Sequence, residues 1–125
     1  MDVEKHVAYW KSGAEEDFAA ARSLLDTGHW RHALFLAHLA IEKALKALVT
    51  RRTRDVPPHT HNLTLLAELA GLALDEEREA FLRAFNAYAF AARYPGTEAL
   101  PLDEQTARDR FAKAEEMLTW LTKQS

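Results

Sequence analysis

The chain has no cysteine, which excludes disulfide cross-links, thiolate metal ligands and a cysteine nucleophile. Glycine and proline are scarce, four of each in 125 residues, too few for a fibrous, linker-rich or low-complexity chain. Charge of one sign is also missing: 16 Lys and Arg against 19 Asp and Glu leave a net charge of −3. So weak a field does not capture nucleic acid non-specifically, although basic residues can still cluster locally. No apolar run approaches the roughly 18 residues that span a bilayer, and MDVEKHVAYW lacks the basic and apolar regions of a signal peptide. The expectation is a soluble, cytoplasmic protein with no membrane association. Neither a phosphate-cradling glycine loop nor a serine in the setting of a nucleophile is present, and no internal repeat is evident.

What the chain has is apolar content, 48% of its residues, enough for one domain over residues 1–125 with a buried core. The apolar spacing is three and four residues, the period of helices. Val3, Val7, Trp10, Ala14, Phe18, Ala21 and Leu25 form one stripe, closed by Gly28 at a helix C′ position. A second helix, about 29–52, carries Trp30, Leu34, Ile41, Leu45 and Leu48 inward, and Val56-Pro57-Pro58 forbids its continuation. Asn62 is suited to cap a short helix bearing Leu63, Leu66, Ala67 and Ala70. Asp75 caps a fourth, with Phe81, Phe85, Tyr88 and Ala92 facing inward, stopped by Tyr94-Pro95-Gly96. Asp103 starts a fifth through Ala107, Phe111, Ala114, Leu118 and Leu121. The fold class this predicts is all-α, an up-and-down antiparallel four-helix bundle with a short extra helix. Trp10, Leu34, Ile41, Phe85, Phe111 and Leu118 are expected to be buried together. Phe35, Leu36 and Leu39 fall outside the inward stripe of the second helix, so either the short helix or a second subunit must cover them; a homo-oligomer is expected.

Several polar residues do not fit a plain bundle. Asp17 lies inside the first apolar stripe, as a helix-to-helix ion pair, a stripe-edge residue or a site residue. Arg31, His38, Glu42 and Lys46 fall along one side of the second helix, either a solvated charged edge or one wall of a site; His38 by itself reads equally as a core histidine. Asn86 and Arg93 share a face of the fourth helix beside Tyr94, and Arg93 also suits the last turn as a cation opposite the helix dipole. A groove carrying Arg93, Lys46, His38 and Asn86 suits a phosphate or an RNA backbone. His59 and His61, without cysteine or a nearby carboxylate in sequence, read as loop residues and not as zinc ligands; no metal or cofactor is expected.

The segment YWKSGAEEDFAAARSLLDTGHWRHALFLAHLAIEKALKAL resembles the opening two helices of HEPN domains, with an E-E-D-L-like segment followed by H-x-A-x-E-K-A-L-K-A-L. THNL resembles the family's T-H-D-L lead into the short helix, Asn62 replacing an aspartate, and AARYPG resembles the R-Y-P end of helix four in one prokaryotic branch. The likeness covers about Tyr9 to Leu121. It implies nucleotide or RNA-phosphate binding, with Arg93, Lys46, His38, Asn86 and Tyr94 at the ligand and Asp17 and Glu42 in support. The branch resembles small HEPN proteins that pair with minimal nucleotidyltransferases in toxin–antitoxin-type systems. Other members are ribonuclease toxins with a late Arg, four to six residues, His motif. Here Arg93 stands near that place, but His61 is the last histidine of the chain, which argues against enzymatic activity. Arg31 and His38 match the spacing on the wrong helix and define the alternative, a metal-independent endoribonuclease. A purely structural module docking a partner is the third reading.

Overall fold

Four of the five helices among the described residues begin at a capping side chain. The computed structural model describes residues 1–93 and 102–124, with the backbone alone for 91–93. Among them are five helices: α1 (Val3–Asp26), α2 (Trp30–Thr53), α3 (Leu63–Leu69), α4 (Glu76–Arg93) and α5 (Glu104–Thr122). Asp2 caps α1 by accepting from the Lys5 N–H at 3.1 Å. Asn62 caps α3, accepting from the Thr64 and Leu65 N–H groups at 3.1 and 3.3 Å. Asp75 and Asp103 accept from Arg78 and Thr106, each at 2.8 Å. Each such bond satisfies a donor that the helix itself cannot. At the end of α1, Gly28 takes φ 84°, and the His29 and Gly28 N–H groups return to the Leu24 and Leu25 carbonyls at 2.9 and 3.2 Å. This paired closure needs a residue at positive φ, where glycine carries no Cβ penalty.

The direction of each helix follows from its cross-helix partners. Glu4 meets Arg51 at 3.1 Å and Asp17 meets Lys43 at 2.7 Å, so α1 and α2 run antiparallel. Arg22 with Glu115, and Asp26 with Arg108 at 3.4 Å, set α5 antiparallel to α1. The Arg78 guanidinium lies over the Trp120 ring, 4.3 Å from its centroid, so α4 starts where α5 ends. The result is the expected up-and-down bundle, with α3 as the short addition.

Helix α2 packs against all four of the others. Its Leu34, Ile41 and Leu45 are closed to solvent, together with Leu63 and Leu66 of α3, Leu82 and Phe85 of α4, and Phe111 and Leu121 of α5. Each such side chain contributes about 1.5–3 kcal/mol by leaving water. Two expected core residues are only half-buried. Trp10 is half-buried in a separate cluster with Val3, Val7 and Ala47; its ring lies under the Lys46 ammonium, 5.4 Å from the centroid, outside the main core. Leu118 is half-buried because Met117 takes the inward position between Ala114 and Leu121. Phe35, Leu36 and Leu39 are likewise half-buried. Leu36 packs against the core, and α3 covers part of α2 through Leu63, Leu66 and Ala67. Phe90 is left 55% exposed. The side chain of Ala92 and the expected Tyr94-Pro95-Gly96 stop lie outside the described residues. No helix among the described residues is long and apolar enough to cross a membrane.

Candidate functional site

One side of α2 is polar and yet buried. His38, Glu42, Lys46 and Thr50, spaced four apart, are each less than a tenth exposed. The four-residue spacing stacks them on one helix face, and the segment leading into α3 closes over that face. This corrects the expectation of a solvated charged edge: Glu42 and Lys46 lie inside the bundle because the HTHNL segment and Trp10 cover them.

Two hydrogen-bonded groups make up this seam. In the first, Asn86 of α4 accepts the Leu63 N–H at 3.0 Å and donates to Asn62 Oδ1 at 3.2 Å, which fixes the orientation of its amide. Its Oδ1 also stands 3.4 Å from His38 Nε2. An amide oxygen only accepts, so His38 carries its proton on Nε2 in that contact. The His38 ring stacks on Phe85, tilted by 8° with centroids 6.3 Å apart. In the second group, Glu42 is shared: Lys46 Nζ donates to Oε2 at 3.1 Å and His61 Nδ1 stands 2.8 Å from Oε1. Burying a carboxylate and an ammonium costs several kcal/mol per ion unless both are paired and bonded, as here. Thr50 completes the face by donating to the Lys46 carbonyl at 2.8 Å. The Trp10 indole N–H is buried with no hydrogen-bond partner among the described residues.

The remaining expected site residues fall as follows. Asp17 pairs with Lys43 at 2.7 Å, a helix-to-helix ion pair of α1 and α2 that does not reach Lys46. Lys43 runs across Gly13, where a Cβ would stand 3.1 Å from its Cδ. Arg31 is exposed near the start of α2, and seven residues at 1.5 Å each put it about 10 Å along the axis from buried His38. Arg93 ends α4, but its side chain, and Tyr94 as a whole, lie outside the described residues. His61 is not among the expected site residues; its Glu42 contact spans 19 positions, and the one local signal for it is its place as the histidine of the T-H-D-L-like THNL segment. Among the described residues no three His, Cys, Asp or Glu side chains are arranged to hold a metal ion. A separate cavity of about 340 Å³ between α1, α2 and α5 is lined by Ala14, Phe18, Ala44 and Leu118 under the Arg22–Glu115 pair, and it shares no residue with the seam.

The fold is an up-and-down helical bundle with a short third helix. The chain matches the HEPN domain over residues 7–124, and it belongs to that family. Among solved structures it is similar to TT1696 from Thermus thermophilus, with a TM-score of 0.76 and 23% identity over 95% of this chain and 98% of that one. It is also similar to ST0689, an archaeal HEPN homologue, with a TM-score of 0.74 and 22% identity over 94% of this chain and 96% of that one. At such identities the likeness speaks for the fold. No curated protein sequence matches the chain.

Proposed function

We propose that this HEPN protein binds the phosphate of a nucleotide or of RNA at the face formed by α2, the α3 lead and α4, and does not cleave it. The observation that carries this reading is the buried polar seam. A bundle that had only to fold gains nothing from placing Glu42, Lys46 and His38 on its central helix, where apolar residues of similar volume are as stable or more so. In this reading Arg93, the last residue of α4, and Tyr94, the next in sequence, make the direct contacts. His38, Asn86 and Lys46 hold the face, Glu42 orients Lys46, and Asp17 holds Lys43. The protein acts as a homodimer or higher oligomer in the cytoplasm, as the binding half of a toxin–antitoxin-type pair, and any transfer chemistry comes from a small nucleotidyltransferase partner. Cleavage by Arg31 and His38 is disfavoured because His38 is 1% exposed, where RNA does not reach it without opening the bundle.

Titration of a fluorescent nucleotide or a short labelled RNA tests the proposal. Affinity should fall between about 50 and 200 mM salt as phosphate counterions are released. Arg93→Ala should weaken binding for all sequences alike and reduce the salt slope by about 1. Unchanged affinity with a lowered melting temperature would make Arg93 a helix-end cation and nothing more.

A further inference from the structure

Helix α4 presents a run of aromatic rings on a different side from the seam. Phe81, Phe85 and Tyr88 recur at four and three residues and so share one helix face. Phe81 stacks on Phe85 with centroids 4.9 Å apart, and Phe85 meets Tyr88 at 5.0 Å. Phe85 is buried beneath, whereas Phe81 and Tyr88 are half-buried and wall a cavity of about 450 Å³ between α4 and α5. Asn86, which closes the seam, stands two residues before Tyr88, about 200° round the helix. Seam and cavity therefore open on different sides of α4.

The wall opposite these rings is cationic. The Arg78–Trp120 contact sets the level of α4 against antiparallel α5. Counting ten residues forward from Arg78 and ten back from Trp120 brings Tyr88 level with Arg110; counting seven brings Phe85 level with Lys113. Both cations line the cavity, and three residues apart on α5 their Cβ atoms stand about 5–6 Å from each other. Arg78, Arg83 and Arg108 of these two helices are each held by a carboxylate. Arg110 and Lys113 have no hydrogen bond or ion pair among the described residues, and the Tyr88 hydroxyl has no hydrogen bond there. Glu77, the one carboxylate lining the cavity among the described residues, lies eleven positions before Tyr88, about 16 Å along the axis. It does not neutralise the Arg110 end.

We infer that the α4–α5 cavity binds a small planar aromatic anion, its ring against Phe81 and Tyr88 and its charged oxygens on Arg110 and Lys113. The aromatic wall suits a flat ring through offset or edge contacts. The guanidinium and the ammonium, one turn apart, suit two oxygens of a single carboxylate or phosphate. The volume falls within the range of small-molecule sites, about 300–1,000 Å³. An aromatic carboxylate and a nucleoside monophosphate share this chemistry. The cavity contains none of the residues assigned to phosphate at the α2–α3–α4 face, so the inference does not rest on that reading.

Proton–carbon NMR on the full chain, ¹³C-labelled in its Phe and Tyr rings, tests the site. The added probes are 2-naphthoate, AMP, the uncharged 2-naphthalenemethanol and the saturated cyclohexanecarboxylate. 2-Naphthoate or AMP should shift the Phe81 and Tyr88 ring resonances, assigned with Phe81→Leu and Tyr88→Leu, and the two control compounds should not. Shifts by AMP make a nucleotide the source of the ligand; shifts by 2-naphthoate alone make it an aromatic carboxylate. Arg110→Gln combined with Lys113→Gln, both exposed, should weaken binding about tenfold or more and leave the melting temperature in place. Arg93→Ala should leave binding here unchanged, which separates this site from the phosphate face. No shift with either anion, equal binding of the uncharged alcohol or the saturated acid, or affinity that the double variant keeps would each overturn the site.

Discussion

At the scale of residues, the buried Glu42–Lys46 pair is stable only as a pair. Glu42→Ala strands an ammonium that is less than a tenth exposed, and truncating one partner of a buried pair costs about 3–5 kcal/mol. Urea denaturation should show that loss, and Glu42→Met with Lys46→Met should recover most of it. A loss of about 1 kcal/mol or less, the worth of a solvated pair, would mean that the seam opens to water. Leu34→Ala, at a position wholly closed to solvent, should cost about 2–5 kcal/mol; a change near zero would place the inner face of α2 elsewhere. The residues most legible from sequence are those whose chemistry is local. Gly28, Asn62, Asp75 and Asp103 act on backbone groups within four positions, so their types announce their roles. Asp17 is legible as an ion-pair candidate, though not its partner Lys43. His61 is legible only as the histidine of a T-H-D-L-like segment, and its contact with Glu42 is not, because that carboxylate arrives from a different helix.

At the scale of elements, α5 offers a test with a defined pH dependence. The Thr106 N–H donates to Asp103 and holds its carboxyl below the usual 3.8. A depressed carboxyl contributes stability above its unfolded value, and that stability is lost as pH falls through the folded one. Asp103→Ala should therefore lower the melting temperature at neutral pH, and the deficit should close in acid below 3.8. A deficit that persists unchanged after both states are protonated would assign the effect to something other than the charged cap. Helix existence is readable in every case, since a three-and-four period needs no knowledge of neighbours. Which face of each helix lies inside is less so. Helix α2 touches all four others, and a helix covered on several sides has no single apolar stripe. Its buried polar column therefore looks, in sequence, like a solvated edge. In α5 one step of three in place of four exchanges Met117 for Leu118, a choice that the spacing alone leaves open.

For the whole molecule, the half-buried Phe35, Leu36 and Leu39 and the exposed Phe90 make self-association the expected state. Sedimentation equilibrium should give at least a dimer at tens of micromolar, and a clean monomer there would mean that these side chains are covered within a single chain. The HEPN fold by itself leaves open whether RNA, once bound, is cut. One experiment reads both whether RNA binds and whether it stays intact. A short RNA labelled at each end is incubated with metal-free protein, its anisotropy is followed, and the same sample is then resolved by length. A salt-sensitive rise in anisotropy is expected, with the RNA at full length. No rise, or cleavage that survives repurification and disappears in His38→Ala or Arg31→Ala protein, would contradict binding without cleavage.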